Sequence, residues 1–199
     1  MERFYLEEPS ISRKEDVKEY IEEHFEHSSD INGAGGLDKH YLNYEEWLER
    51  ELAARDEKTC PDNLCPGCEY FLIRESDNKL IGMINLRWNL SEWMFTNAGH
   101  IGYGVRPTER RNGFNKINLY LCLLKAQEKG LKKVLLTAAD NNPGSYKTIL
   151  ALGGVLENKI PDYEDETVLM GRYWIDVDYA IEKYYEDFKD LIKIENVRK

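Results

Sequence analysis

The 199-residue chain has no long apolar run, and no stretch approaches the roughly 20 consecutive apolar residues that a membrane-spanning helix needs. Its first residues, Met1 to Arg3, lead into a mixed polar segment without the apolar core of a secretory signal peptide. We therefore expect a cytoplasmic protein with no membrane partner. A chain of this length favours one well-buried domain over two, so we expect residues 1–199 to form a single domain.

Positive charge is also scarce, because 27 Lys and Arg residues face 37 Asp and Glu residues, giving a net charge of −10. A nucleic acid would have to bind a local basic patch against this overall field. The one short basic cluster contains Arg106, Arg110 and Arg111. Its size suits the phosphate of a cofactor better than a duplex, and we expect no nucleic-acid partner.

Cysteine is rare, and four cysteines in a chain expected in the cytosol indicate free thiols or a metal site rather than a disulfide framework. Cys65 and Cys68 have a metal-chelating spacing, Cys60 offers a third ligand, and His40 or Asp62 offers a fourth. A closed zinc site usually has two clear ligand pairs, and only one is present. We therefore favour a proline-rich connector with no metal, and keep a metal-dependent interaction domain as a weaker alternative.

The chain is organised around residues 99–154, which begin with a strand, a basic turn and a helix. The alternation from Ala98 to Val105 predicts a buried strand that ends at Pro107. Apolar residues then recur at helical spacing up to Gly130, a plausible C-terminal stop. The residues of this helical stripe are Ile117, Tyr120, Leu121 and Leu124.

A helix that starts directly after this turn can bind an anion. Its first N–H groups have no partner inside the helix, and the helix dipole adds partial positive charge there. Gly113 lets the backbone approach a phosphate closely, while Arg110 and Arg111 add formal charge. The alternative is an ordinary strand–helix joint with solvated arginines.

The second half of the segment repeats the pattern. Lys132 to Ala138 is a short β-rich run, and Asp140 to Ser145 is a turn that leads into a second helix. Gly153 and Gly154 end that helix.

The two turns resemble those of the GNAT superfamily of acyl-CoA N-acyltransferases. Arg110-x-x-Gly113-x-Asn115 matches the Gln/Arg-x-x-Gly-x-Gly/Ala pyrophosphate signature except at its last position. Asn142-x-x-Ser145 looks like the later Asn-x-x-Ser/Ala turn.

Two strands carry a closer likeness. Gly99 to Gly104 reads Gly-His-Ile-Gly-Tyr-Gly and Arg172 to Ile175 reads Arg-Tyr-Trp-Ile, which is similar to a bacterial subgroup of predicted acetyltransferases. The resemblance extends from about Glu69 to Ile175. It implies an α/β GNAT fold, with a mixed, mostly antiparallel sheet of six or seven strands and helices on both faces. The periodic segment 176–199 is then an extra C-terminal helix on the same domain or a dimer contact.

The resemblance also implies acetyl-CoA as the cofactor. Backbone N–H groups from Arg111 to Asn115 would surround the pyrophosphate, and a backbone N–H near Val105 would polarise the thioester carbonyl. Asn142 would bind the pantetheine arm or order the nearby loop. The cofactor-binding residues implied in this way are Val105, Arg110, Arg111, Asn112, Gly113, Phe114, Asn115, Asn142 and Ser145.

The usual general acid is absent, because Ile149 stands where many members of the superfamily carry a tyrosine. Tyr173, Tyr146 and Tyr103 are candidate substitutes. His100, on the strand that leads to the cofactor, is the first candidate for the general base, since histidine titrates near neutral pH; a structural histidine is the alternative. Glu92 in the preceding loop is the second candidate.

Outside this segment the pattern predicts several further elements. These are a strand over residues 3–7, a helix to about Phe25, a loop over 28–36, a helix from about Asn43, a hairpin of strands 70–74 and 80–88, a loop over 89–97 and a strand over 167–175. The 89–97 loop carries Trp93, Met94 and Phe95, which either pack on the core or line an acceptor pocket. The resemblance places the N-terminal helical region beside the acceptor site, and we expect its scattered histidines, His24, His27 and His40, to be solvated.

The resemblance implies an N-acetyltransferase that transfers acetyl from acetyl-CoA to a primary amine by direct attack in a ternary complex. The acceptor is a small-molecule or protein amine, and a homodimer is left open. The alternative is a GNAT-like module that binds acyl-CoA without turnover, which Ile149 and Asn115 keep open.

Overall fold

The computed structural model describes residues 2–40 and 42–194. Within them the chain forms seven strands: β1 Phe4–Glu7, β2 Gly67–Arg74, β3 Lys79–Arg87, β4 Ile101–Val105, β5 Lys133–Ala139, β6 Val155–Pro161 and β7 Leu169–Asp176. The α-helices in the same residues are α1 Lys14–Glu26, α2 Leu37–His40, α3 Tyr44–Ala53, α4 Glu92–Asn97, α5 Phe114–Glu128, α6 Pro143–Ala151 and α7 Val177–Phe188. Single 3-10 turns, Ile11–Arg13 and Pro107–Glu109, precede α1 and α5.

The strands form two sheets that meet at β4 and β5. The first sheet has the order β1-β2-β3-β4 and the second the order β5-β7-β6, and every ladder is antiparallel. Helix α5 connects β4, at the edge of the first sheet, to β5, at the edge of the second sheet. We expected one mixed, mostly antiparallel sheet of six or seven strands with helices on its faces. The α/β class and the mostly antiparallel pairing are confirmed, but the described strands form two sheets, and none of their ladders is parallel.

Both faces of the first sheet are covered, which explains the nearly continuous apolar sequence of β2 and β3. On one face Phe71 and Ile73 pack with α1 and α3 around the fully buried Trp47. On the other face Leu72 packs with α5, within a core that continues under the second sheet to α6 and α7. The sheet therefore separates two hydrophobic cores and holds β4 between them.

Two elements differ from the sequence expectation. Residues 92–97 form the short helix α4 rather than a loop, because the Ser91 hydroxyl caps its start by accepting from the Met94 N–H at 3.2 Å. Arg172 stabilises the other end by donating to the carbonyls of Phe95 and Thr96. The edge strand β6 was not predicted, because almost all of its residues are exposed and it has no apolar alternation.

The C-terminal helix α7 packs against α5 of the same chain. Val177, Ala180 and Phe188 of α7 are buried, and the Phe188 ring stacks on Tyr120 of α5 at 4.5 Å between centroids. The helix ends at Phe188, earlier than its apolar stripe suggested, and the next residues pair with β1 through the Phe4 N–H and the Leu191 carbonyl at 2.8 Å. Residues 195–199 of the predicted segment lie outside the described residues.

We expect Phe188→Leu to lower the free energy of unfolding by about 1 kcal/mol, because it keeps apolar bulk and loses the aromatic stack. Tyr185→Leu on the same helix is the control, since Tyr185 is exposed and its replacement should change stability by less than about 0.5 kcal/mol. Urea denaturation measures both. Equal effects of the two changes would contradict the packing of α7 against α5.

The cysteine-rich connector between α3 and β2 does not gather a metal site. Among the described residues, no group of three or more His, Cys, Asp or Glu side chains is arranged to hold a metal ion. Cys68 is buried, which raises the pKa of its thiol to about 11, and Cys65 accepts a hydrogen bond from the Ser91 N–H at 3.3 Å. The loop therefore ties to the start of α4 in this structure.

Over the described part of the chain, no helix combines the length and the apolar character needed to cross a membrane.

Candidate active site

The site lies where β4 and β5 separate. The two strands touch near their start, where Gly99 bridges Leu136 and the His100 N–H donates to the Leu135 carbonyl at 2.7 Å. Within the described residues, the strand Ile101–Val105 then pairs only with β3. A gap between the two sheets therefore opens toward the carboxyl end of β4.

Val105 is the last residue of β4, and its free N–H group points toward this gap. The Arg106 N–H donates to the Ile81 carbonyl of β3 at 2.9 Å. Because successive residues of a strand point their N–H groups to opposite edges, the Val105 N–H faces the side of β5. The Val105 carbonyl on the same edge accepts a hydrogen bond from Arg110 Nε at 3.0 Å.

The turn between β4 and α5, residues 106–113, ends in an unusual backbone. Gly113 has φ +82° and forms the N-terminal boundary of α5, and Arg111 has φ +67°, a strained value for a residue with a side chain. A side chain built on Gly113 would meet no atom within 4 Å. No neighbouring atom crowds Gly113. Glycine is therefore favoured at this position by the positive φ and by the room it leaves for a ligand outside the turn.

The backbone N–H groups of this turn are available to a ligand. From Arg111 to Asn115, none has a hydrogen-bond partner in the described part of the chain. Arg111 is exposed beside them, and α5 extends for 15 residues behind them. Unpaired N–H groups and the positive end of a helix dipole thus lie together at an exposed turn, an arrangement that favours an anion. The phosphate-binding role of these residues stays a prediction.

Neighbouring groups hold the turn in place. Glu23 of α1 accepts from Arg106 Nη1 at 2.9 Å, and from the N–H and hydroxyl of Thr108 at 2.9 and 2.8 Å. Arg110 donates to the Ser29 hydroxyl at 2.6 Å, which joins the turn to the loop that follows α1. Burial raises the pKa of Glu23, but the bonds from Thr108 and Arg106 outweigh it, so the pKa is lowered.

The family is decided by the sequence match. The sequence model of the Acetyltransferase (GNAT) family matches residues 36–153, which is more than half of the chain. The chain belongs to the GNAT acetyltransferase family. It is therefore an acyltransferase, with acetyl-CoA as its acyl donor.

Solved structures share the fold. Mutant forms of spermidine/spermine N-acetyltransferase SpeG from Vibrio cholerae are 13% identical, cover 91% of this chain and 98% of their own, and have a TM-score of 0.63. Ribosomal-protein-S5-alanine acetyltransferase from Vibrio fischeri is 16% identical, with coverages of 89% and 95% and a TM-score of 0.61. The microcin C7 self-immunity acetyltransferase MccE, solved with acetyl-CoA and AMP, is 14% identical, with coverages of 87% and 92% and a TM-score of 0.64. No curated protein matches the chain in sequence.

The second GNAT turn, at the start of α6, is in contact with β4. The Asn142 side chain caps α6 by accepting from the Ser145 N–H at 3.1 Å. Tyr103 of β4 reaches over to α6, where its hydroxyl lies 3.1 Å from both the carbonyl and the hydroxyl oxygen of Ser145. In this structure Asn142 therefore orders its loop, one of the two roles that the resemblance implied.

Asn115, the departure from the GNAT signature, lies in the first turn of α5. Its side chain is half-buried, and its Oδ1 is buried without a hydrogen-bond partner among the described residues. The Asn115 side chain therefore adds an unpaired oxygen at the start of α5, where the family usually has a small residue.

The candidate acids lie on the α6 side of the gap. Ile149 is fully buried in the core. Tyr173 on β7 is buried, and its ring folds over Gly171 so that a Cβ there would come within 2.7 Å of the hydroxyl. Burial is the main cause of its raised pKa, with Asp140 and Lys159 also acting on it, so its phenol keeps its proton at neutral pH. Tyr146 is half-buried in the first turn of α6.

His100 is poorly placed for the role of base that the sequence suggested. It precedes β4, five residues and roughly 16 Å of strand from Val105. Its Nδ1 accepts the Leu135 N–H at 2.9 Å, so the lone pair of the neutral ring is occupied. Burial lowers its pKa further. The geometry supports the structural alternative, in which His100 fastens β4 to β5.

Glu92 starts α4 and is exposed. The next residue, Trp93, packs edge-on against Tyr163 of the β6–β7 loop at 5.1 Å between centroids. Phe95 packs near Trp174 of β7 and is 45% exposed. These aromatic residues are thus neither part of the core nor fully solvated. They connect α4 to the β6–β7 loop and to β7, and α4 thereby forms a rim along the second sheet.

On the face of α1 beside β4, the burial of His24 differs from the expectation. His24 was expected to be solvated but is fully buried, as is Tyr20. Val17, Tyr20, Ile21 and His24 have the spacing of one helix face, so the helical period contained the signal. The apolar face predicted for this helix included Phe25 in place of His24, but Phe25 is 50% exposed.

A surface cleft with a volume of about 600 Å³ lies elsewhere and does not coincide with this site. It is lined by residues such as Lys133, Val155 and Tyr179, near the start of β5. The gap at the carboxyl end of β4 carries the GNAT motifs, and we place the site there on its chemistry.

Proposed function

We propose that the protein transfers the acetyl group of acetyl-CoA to a primary amine by direct attack in a ternary complex. The observation that carries this proposal is the turn from Arg111 to Asn115, which follows β4 and whose N–H groups are unpaired among the described residues. A pyrophosphate held there leaves the pantetheine arm to run along the free edge of β4. Both substrates then have to be bound together, because no nucleophilic side chain is needed for the transfer.

The Val105 N–H supports polarisation of the thioester. It faces the gap, away from β3, at the position where the carbonyl oxygen acquires negative charge as the amine attacks. A preorganised backbone donor at such a point typically contributes about 3 kcal/mol to transition-state stabilisation. For the leaving thiolate we propose Tyr173 as the acid, because its phenol stays protonated, and we do not carry His100 forward as the base.

The acceptor would enter from the side of the loop over residues 28–36 and the rim formed by α4. The related structures are named for different amines, namely spermidine or spermine, a ribosomal-protein alanine and microcin C7. We therefore propose a small-molecule or protein amine without naming it. A net charge of −10 favours a cationic acceptor, and Glu92 at the exposed rim would add to that attraction. We further propose that residues 1–199 act as one domain, with its oligomeric state open to a dimer.

The test combines acetyl-CoA binding with thiol release. Calorimetry with acetyl-CoA should show binding, and a thiol reagent should then detect coenzyme A release with spermidine or with a peptide that begins with alanine. Binding without release for any primary amine would overturn the proposed acceptor class and favour the acyl-CoA-binding module. An absence of acetyl-CoA binding would overturn the proposed role of the turn.

A further inference from the structure

The face of α1 that packs against the first sheet contains two polar groups that are unsatisfied within the described residues. Tyr20 and His24 are both fully buried. Neither the Tyr20 hydroxyl nor His24 Nε2 has a hydrogen-bond partner among the described residues. The two rings are neighbours, with centroids 4.4 Å apart. Unpaired buried groups are costly, so a pair of them indicates a use beyond folding.

The hydrogen bond on the other ring nitrogen fixes the tautomer of His24. Nδ1 lies 2.8 Å from the Tyr20 carbonyl oxygen. A carbonyl only accepts, so Nδ1 carries the proton and Nε2 of the neutral ring keeps a free lone pair. This is the reverse of His100, whose Nδ1 lone pair is already engaged by the Leu135 N–H.

The pair lies beside the reactive end of β4. The Tyr20 hydroxyl is 3.2 Å from the point where a Cβ on Gly104 would lie, one residue before Val105. The Asn32 carbonyl covers the same point at 2.7 Å, and Gly33 lies against Tyr103. Tyr20 and His24 therefore sit under the loop over residues 28–36, on the side of β4 from which we propose that the acceptor enters.

We infer that His24 Nε2 accepts the proton of the acceptor amine and that Tyr20 positions its ring. This rests on the proposed function. The amine nitrogen forms a bond to the thioester carbon, the C–S bond breaks, and the N–H proton passes to Nε2 to give an imidazolium. Coenzyme A leaves as the thiolate or takes a proton from a separate acid, and the imidazolium returns its proton to solvent. The acceptor must displace Asn32 and Gly33 from β4 to reach this position.

The surroundings keep the ring neutral before the reaction. Burial lowers the pKa of His24 most, the hydrogen bond to Tyr20 opposes it, and Arg110 and Arg106 lower it while Glu23 raises it. These are the charged groups that face the ring from α1 and from the turn after β4. Because the base must be neutral, the acid limb of the rate profile should lie below the ordinary histidine pKa of about 6.5.

The first measurement uses ring ¹⁵N NMR and needs no acceptor. We expect the free protein to show His24 with a protonated Nδ1 and a bare Nε2 at pH 7.5. A ring protonated on Nε2 overturns the inference, whatever the enzyme's activity proves to be.

The second measurement compares His24→Asn with His27→Asn, an exposed position three residues along the chain. An asparagine amide can still donate to the Tyr20 carbonyl while it lacks Nε2, so His24→Asn should fold and bind acetyl-CoA as the wild type does. We expect kcat with spermidine, or with the alanine peptide if that is the acceptor, to fall about 100-fold at pH 7.5. The deficit should shrink at higher pH, where the amine loses its proton unaided, and His27→Asn should match the wild type.

The outcomes separate the two proposals. A wild type that releases no coenzyme A with any amine overturns the proposed function, and the NMR result still decides the state of His24. A wild type that turns over while His24→Asn keeps its rate, or loses it equally at every pH, overturns the role of His24 as proton acceptor.

Discussion

Gly113→Glu should weaken acetyl-CoA binding about 100-fold or more, whereas Gly130→Glu should leave it unchanged. Gly113 begins α5 at the unpaired N–H groups, so a carboxylate there meets the cofactor phosphates. Like charges brought together at a binding site cost several kcal/mol, and about 3 kcal/mol corresponds to a 100-fold change. Calorimetric titration with acetyl-CoA and with coenzyme A measures the effect, and both ligands should be affected alike.

Gly130 is a matched control at the other end of the same helix. Its φ is +79° against +82° for Gly113, and a Cβ at either position meets no atom within 4 Å. Both variants therefore carry the same left-handed strain, roughly 1 kcal/mol, and the same added charge. Only the position relative to the phosphates differs. If Gly130→Glu weakened binding as much as Gly113→Glu, the loss would come from strain or net charge, and the turn would not be the phosphate site.

The sequence predicted the central part of the fold because that part is governed by local rules. The β4 strand, the turn at Gly113 and α5 follow from alternation, a glycine and helical period within 30 residues. The hairpin of β2 and β3 was equally readable. Edge strand β6 and helix α4 were not, because β6 is held by pairing with β7 and α4 by Arg172, which is 76 residues away from Thr96.

The same difference between local and long-range contacts applies to the candidate site. The glycine turn before α5 was predictable from Gly113, and its role as a phosphate site stays a prediction, whereas the state of each histidine was not predictable. His100 and His24 differ in which ring nitrogen is engaged, and that depends on the Leu135 N–H in one case and on the Tyr20 carbonyl in the other. The first contact is with a strand that follows a helical crossover. The contact of His24 lies within α1, but the unpaired state of its other ring nitrogen depends on burial against β4.

Hydrogen bonds link the C-terminal end of α1 to the turn between β4 and α5. Arg110 donates to Val105 on β4 and to Ser29 in the loop that covers His24, and Arg106 and Thr108 bind Glu23 one residue before His24. The end of α1 and the phosphate turn are therefore one hydrogen-bonded unit. A change in Glu23 should affect both stability and cofactor binding.

We expect Glu23→Ala to lower the free energy of unfolding by about 3 kcal/mol at pH 7. The change leaves the Arg106 guanidinium, whose side chain is 6% exposed, without its carboxylate. Breaking a buried ion pair by removing one partner costs about 3–5 kcal/mol, and the lower end applies because the Glu23 side chain is itself 14% exposed. Urea denaturation with a constant m-value measures the loss. Acetyl-CoA binding should weaken in the same variant, since Thr108 loses two bonds.

The stabilisation by Glu23 should disappear at low pH. The pKa of Glu23 is lowered in the folded protein, so the carboxylate stabilises the fold above its unfolded pKa of about 4.3 and ceases to do so as the pH falls through the folded value. The stability gap between wild type and Glu23→Ala should therefore be constant from pH 7 to about pH 5 and narrow below about pH 4. Glu22→Ala is the control, because exposed Glu22 pairs only with exposed Lys18 at 3.8 Å among the described residues and should cost less than about 0.5 kcal/mol. A gap that widened in acid, or an equal loss in Glu22→Ala, would show that the contacts from Glu23 to Arg106 and Thr108 do not hold the turn.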